Sequence, residues 1–425
     1  MTDGVLLAIL LRVRKNRLLF KRRIREGKSR DMSDRCAKND CVPLKRRHVL
    51  LGGAAICFSQ VVACARPTRS FDAVDVLVRD AVEKGEAPGA VVVIGHDGKI
   101  VHRLVYGKRA IVPVSEPLSW NTHFDMASLT KPTMTALSVM QFVEQGRVAL
   151  DDRVSQYFPE FACNGKGDIT IRLLLTHYSG LPPDVPLNDP WTGKVEGVRR
   201  AMMSPLINPP REKFVYSDIN YVMLGLLVEK LSGLPLDQYV RLNILEPLGM
   251  TESGYLPPSS LRPLIAPTQY DEQGVMLRGV VHDPTARRMG GVAGHAGLFS
   301  DAQDMSIYAQ ALLDRLKGRP SCFPLRQETL VLMTTPQQPP GKTDLRGLGW
   351  DINTHYSSPR GDVFSRHSFG HTGFTGTSLW IDPDSDSYVL ILTNRVHPSG
   401  GHSVVKLRHD VATEAGRALG LTAPV

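Results

Sequence analysis

The chain has 425 residues, 42% of them hydrophobic, and a formal net charge of +9 at pH 7. That length accommodates two or three domains, or one large catalytic unit with an inserted subdomain. The charge excess is confined to the N-terminus: residues 1–48 hold 15 Lys/Arg against 5 Asp/Glu, while the rest hold 36 against 37. This excludes the basic groove a nucleic-acid binder needs in its folded part.

The basic leader ends in Lys45, Arg46 and Arg47 and runs into an apolar stretch of 15 residues, Val49 to Ala63. That stretch is shorter than the roughly 20 residues of a spanning helix and has the n-region and h-region of an export signal. Arg46 to Leu51 is also similar to a twin-arginine signal. Val61, Val62, Ala63 and Cys64 have the form of a lipoprotein cleavage site, so Cys64 is the candidate lipid-bearing N-terminus. The expected location is the periplasmic side of a bacterial envelope, with membrane attachment only through that lipid. Met32 is an alternative start to Met1. Cys36, Cys41 and Cys57 fall in the removable leader, and the sequence leaves open whether Cys163 and Cys322 are bonded.

Residues 1–64 are thus read as leader and signal, 65–70 as a tether and 71–425 as the catalytic domain. Val74, Leu77, Val78 and Ala81 mark one face of a first helix. Two β-rich runs flank His96, Asp97 and Gly98, which signals a hairpin. Helical periodicity follows at 128–145, 169–178, 218–232 and 301–317, the last behind a Ser300/Gln303 capping box. Residues 374–381 and 387–394 read as strands around Pro383 and Asp384, and 403–418 as a helix. The fold class is α/β: a mixed, mainly antiparallel sheet from both chain ends (71–125 and 340–425), flanked by helices, with a mostly helical subdomain (126–339) inserted. A cleft is expected at the seam.

Three segments carry chemistry. Ser128 and Lys131 stand three apart, which on a helix puts an amine beside a hydroxyl that needs a base. Tyr216, Ser217 and Asp218 directly precede the periodic run Leu224, Leu227, Val228 and Leu231. His371, Thr372 and Gly373 lead into the run Thr375 to Ile381, and a cation, a hydroxyl and a glycine suit a substrate carboxylate. His282, Asp283, His295, His367 and His371 lack metal-ligand spacing, so no metal and no cofactor are expected. His295, inside a glycine-rich run, is expected to hydrogen-bond backbone near the site.

Taken in order, Ser128-x-x-Lys131, Tyr216-Ser217-Asp218 and His371-Thr372-Gly373 resemble the β-lactamase-related serine hydrolases, which include class C β-lactamases, DD-peptidases of the penicillin-binding-protein type, and esterases. Thr176 to Pro182, Gly290 to Leu298 and Gly347 to Trp350 extend the match over about residues 70–420. The resemblance implies the β-lactamase/transpeptidase-like fold, with Ser128 as nucleophile, Lys131 as its proton acceptor and Tyr216 as proton shuttle. It places the oxyanion between the backbone N–H groups of Ser128 and Phe374, and assigns Asp218, His371, Thr372 and Gly373 to the substrate. Asp218 departs from the usual asparagine: either its carboxylate points elsewhere, or Tyr216 carries more of the base role. His371 replaces a lysine, and an ordinary histidine is mostly neutral at pH 7, which argues against efficient β-lactam turnover. The resulting expectation is acyl transfer to water on a D-alanyl peptide of cell-wall origin. The alternatives are an esterase, a weak β-lactamase, or a non-catalytic envelope protein that binds peptidoglycan fragments.

Overall fold

In the computed structural model, residues 69–423 are described; the leader, its signal and Cys64 lie outside them. The main sheet has eight strands in the order β3-β2-β1-β11-β10-β9-β8-β7, and every pairing is antiparallel. Its centre is β1 (Gly89–His96), β11 (Ser387–Thr393) and β10 (Ser378–Asp382), so the two chain ends meet in register, with Val92 opposite Ile391. β2 (Lys99–Ala110) and β3 (Glu116–Pro117) extend one side; β9 (Phe369–Thr372), β8 (Asp351–Asn353) and β7 (Leu345–Arg346) extend the other. Asp97 and Gly98 both take positive φ (49° and 78°), the paired left-handed geometry that a tight two-residue hairpin requires.

The two-residue period of the strands sorts their side chains into two cores. Ala90, Val92 and Ile94, with Trp380, Val389 and Ile391, face helix α1 (Asp72–Glu83) and the C-terminal helix α5 (Val405–Ala418). Val91 and Val93, with Leu379, Ile381, Leu390 and Leu392, face the larger core formed with the central helices. Those central helices include α2 (Leu137–Glu144), α3 (Asp218–Ser232) and α4 (Ala302–Leu316). A small sheet, β4 (Phe124–Asp125), β6 (Leu298–Ser300) and β5 (Gly254–Tyr255), delivers the chain to the site.

Two local expectations needed correction, and the question left open for the cysteines has an answer. The 301–317 helix is capped by Asp301, which accepts from Asp304 N at 2.9 Å, because Ser300 is engaged as the last residue of β6. His371 and Thr372 close β9, Gly373 to Thr377 form a turn, and β10 begins only at Ser378. Cys163 and Cys322 are free thiols. Among the described residues no single helix is long and apolar enough to cross a membrane.

Candidate active site

β4 delivers the nucleophile through a strained corner. Ala127 has φ +46°, a costly value for a residue with a Cβ, of order 1–3 kcal/mol. Its N–H donates to Asp125 Oδ1 at 2.8 Å, while Asp125 Oδ2 accepts from His282 N at 2.7 Å. Burial raises the Asp125 carboxyl to about 6, against the pull of those two donors. Gly373 meets this corner so closely that a Cβ there would lie 2.1 Å from Thr377 Oγ1 and 2.6 Å from Met126 O.

Ser128 sits in a short 3₁₀ turn (Ala127–Leu129), and Lys131 opens the wider helical turns that continue into α2. The Lys131 side chain is fully buried. Its Nζ donates to Ser128 Oγ at 3.0 Å and to His295 O at 3.0 Å, and lies 2.6 Å from Asp218 Oδ1. Two hydrogen-bond acceptors and one close carboxylate suit an ammonium, which has three N–H bonds and no acceptor. Burial alone would lower the Lys131 pKa, but the neighbouring Asp218 and Tyr216 outweigh it and hold it above the ordinary lysine value. The carboxylate points at Lys131, which removes the first of the two outcomes left open for Asp218.

Tyr216 lies just ahead of α3, with Lys131 Nζ 5.0 Å from its ring centroid. Its hydroxyl is buried beside Ser128 and Lys131 without a well-aligned hydrogen bond to either. Burial raises its pKa; Lys131 opposes that rise and Asp218 adds to it. The ring stacks on His177 at 4.4 Å. His177 Nδ1 accepts from Ser217 N at 3.1 Å, and burial, with Arg346 and Lys131 nearby, keeps the imidazole neutral. Across the site, the His295 ring pairs with Asp283 at 2.8 Å. This corrects the expectation of a ring bond to backbone: the carbonyl of His295, not its ring, serves the site.

Ser128, Tyr216, His371, Thr372, Gly373 and Phe374 all border one cleft of about 390 Å³. The N–H groups of Ser128 and Phe374 are not paired with another element among the described residues, leaving both free for an oxyanion. His371 cannot supply a charge here. Burial, reinforced by Arg346 and Lys131, lowers its pKa well below the ordinary histidine value, and Nδ1 faces Thr372 O at 2.9 Å.

The cations of this cleft are three arginines that sequence reasoning missed. Arg408 projects from α5 and donates through Nη2 to Gly373 O and Thr377 O, both at 2.8 Å. Burial and the nearby Arg395 lower it to about 9, still cationic at pH 7. Arg395 lies 4.7 Å over the Phe374 ring. Arg346 is buried, its Nη1 3.7 Å from Asp351 Oδ1. Arg395 and Arg408 reach the cleft from the end of β11 and from α5, so no local spacing announces them. Among the described residues no group of three or more His, Cys, Asp or Glu side chains is arranged to hold a metal ion.

The comparisons with known proteins agree with this geometry. Residues 74–413 match the family model described as Beta-lactamase. A relative in Salmonella gallinarum named "Putative D-alanyl-D-alanine carboxypeptidase" is 34% identical over 65% of this chain and 70% of its own length. A relative in Bacillus subtilis named "N-acetylmuramyl-L-alanine amidase" is 34% identical over 78% of this chain and 82% of its own. Two solved structures share the fold. The octameric penicillin-binding protein homologue from Pyrococcus abyssi has a TM-score of 0.61 at 24% identity, covering 76% of this chain and 72% of that one. EstCE1, described as a hydrolase with promiscuous acyltransferase activity, has a TM-score of 0.64 at 22% identity, covering 81% and 98%. With a family model matched across nearly all of the described chain, on the mixed α/β fold of β-lactamases and penicillin-binding proteins, the protein belongs to the β-lactamase family and is a serine hydrolase.

Proposed function

We propose that the protein removes the terminal D-alanine from cell-wall peptides through an acyl-enzyme on Ser128. One observation carries this reading: Arg346, Arg395 and Arg408 gather on the side of Ser128 that Tyr216 occupies. The group that protonates the leaving nitrogen must stand beside it, so a leaving group with a carboxylate one carbon from that nitrogen fits there. A D-alanine leaving group has that carboxylate.

In this mechanism Ser128 Oγ attacks the carbonyl carbon while its proton passes to Tyr216. Proton acceptance, expected of Lys131 from the motif, moves to the tyrosine because the ammonium donates to Ser128 Oγ and His295 O and is ion-paired with Asp218 at 2.6 Å. The Lys131 charge favours the phenolate that must accept the proton, against burial and Asp218, which raise the Tyr216 pKa. The developing oxyanion lies between the N–H groups of Ser128 and Phe374. Tyr216 then protonates the departing amine as the C–N bond breaks. Water, giving a proton to Tyr216, attacks the acyl carbon, and the proton returns to Ser128 Oγ as the acid leaves.

The Bacillus subtilis relative's name supplies a second reading, cleavage of the amide between a muramyl group and L-alanine. There the leaving peptide carries its carboxylate far from the scissile nitrogen. Purified enzyme offered a D-alanyl-D-alanine peptide, a muramyl-L-alanyl peptide, p-nitrophenyl esters and nitrocefin side by side should release D-alanine with the highest kcat/KM. Preferred cleavage of the muramyl amide, or of simple esters, would refute the proposal. We also propose export and lipid attachment at Cys64. Mature protein should begin at that residue and partition with membranes, and Cys64→Ala should release it or stall processing; soluble protein cleaved elsewhere contradicts this.

A further inference from the structure

Phe374 offers its N–H to the oxyanion position from a turn that begins at a glycine. No side chain fits at Gly373, and a glycine backbone is the freest to change conformation. If the peptide unit joining Gly373 to Phe374 turned over, a carbonyl oxygen would replace the N–H and repel the oxyanion. The turn closes on itself through Gly373 N–H to Thr377 O at 2.7 Å and Gly376 N–H to Gly373 O at 3.1 Å. Thr375 and Thr377 tie it to the nucleophile corner, donating to Asp125 O at 2.8 Å and Met126 O at 3.1 Å.

Arg408 grips the same turn from the other side. Its Nη2 has two N–H bonds, one for Gly373 O and one for Thr377 O, both at 2.8 Å. The two carbonyls that close the turn are therefore the two that the guanidinium holds. Gly373 O belongs to the same peptide unit as the Phe374 N–H, and that unit is trans, so its oxygen and hydrogen point in opposite directions. Holding the oxygen against α5 aims the N–H away from α5. A cation on the oxygen also draws electron density through the conjugated C–N bond, which makes the N–H a stronger donor. Arg408 is only 6% exposed, and no carboxylate among the described residues pairs with it. A buried charge without a counterion is a costly way to hold two carbonyls that already accept from backbone N–H groups. The charge has a use at the oxyanion.

We propose that Arg408 is a positioning residue of the oxyanion site, fixing and strengthening the Phe374 N–H through Gly373 O. The inference rests on the oxyanion position between Ser128 and Phe374, and it does not depend on which carboxylate the cleft takes.

The test uses p-nitrophenyl acetate, which has no carboxylate in either half, and phenylboronic acid. The tetrahedral boronate adduct on Ser128 carries an oxygen where the oxyanion forms. Arg408→Met should lower kcat/KM for the ester about 10- to 100-fold, less than the roughly 10²–10³-fold of an oxyanion donor lost outright. Ki for the boronate should rise by a similar factor, because the adduct resembles the transition state. Arg408→Lys keeps a cation that can donate to the carbonyls and should recover most of both losses. Arg408→Gln keeps a donor without the charge and should fall between the other two variants. If Arg408→Met does not fold, Arg408→Lys and Arg408→Gln supply the comparison. A boronate Ki unchanged in Arg408→Met, or equal values in Arg408→Lys and Arg408→Gln, would overturn the proposal. A wild-type protein that does not bind the boronate would remove the oxyanion position itself, and this proposal with it. Failure to release D-alanine alters neither measurement, so it remains distinct from failure here.

Discussion

The surroundings of the nucleophile and the arginine end of the cleft handle charge in opposite ways. Around Ser128 the charges of the proton-handling groups are paired within the protein: Lys131 faces Asp218 at 2.6 Å, and His295 faces Asp283 at 2.8 Å. At the other end Arg346, Arg395 and Arg408 converge with Asp351 as the single carboxylate among the residues lining that cleft, and it lies 3.7 Å from Arg346. Matched charge holds protons in place, because each partner fixes the ionisation of the other. Unmatched cationic charge, costly to gather, stands ready for an anion from outside. The same neighbours explain why His371 and His177 are neutral: burial lowers both, and Arg346 and Lys131 add repulsion.

That contrast can be broken at the nucleophile end with graded effects. Ser128→Ala should lower hydrolysis of every substrate by on the order of 10⁶-fold, to background, while thermal unfolding shows the fold retained. Activity surviving the change would place the chemistry elsewhere. Tyr216→Phe should cost roughly 10²–10⁴-fold on a D-alanyl amide, which needs a proton on its leaving nitrogen. It should cost less on a p-nitrophenyl ester, whose leaving group departs without one. Equal losses on both would confine Tyr216 to the attack step.

The smallest effect sharpens the matched pair itself. Asp218 raises the pKa of both Lys131 and Tyr216. Activity needs one of these groups deprotonated, so kcat/KM should rise with pH on its acid side. Asp218→Asn removes the carboxylate charge, lowers both pKa values and should move that rising limb to lower pH. A limb that stays in place, or moves upward, would show that Asp218 does not set the proton affinity of the pair.

The fold was largely readable because its signals are local. The Asp97–Gly98 turn, the Val74 to Ala81 face and the periodic run after Tyr216 each encode geometry within a few residues, and each lies where expected. Ser128 and Lys131 were legible for the same reason. The 374–381 strand was read too early because Thr375 and Thr377 have strand propensity yet spend their hydroxyls on Asp125 O and Met126 O, holding the turn against the nucleophile corner. Arg395 and Arg408 carry no such mark. Arg408 occupies a position on the buried face of α5 among Leu407, Val411 and Ala412, and only the packing of that helix on the sheet brings it to Gly373. His282 was seen as one of several scattered histidines, and its place beside Ser128 depends on a contact spanning 157 residues, from Asp125 to its backbone N–H.

The account stands most directly on the claim that the arginine end takes the carboxylate of the leaving group. The measurement is kcat/KM for an acyl-D-alanyl-D-alanine peptide against the same peptide ending in D-alaninamide, in the wild-type protein and in Arg395→Met. Loss of one charged contact is worth about 1.5–3 kcal/mol, so the carboxamide should be turned over roughly 10- to 150-fold more slowly by the wild type, and that gap should narrow in the variant. Equal rates for carboxylate and carboxamide in the wild-type protein would contradict the account.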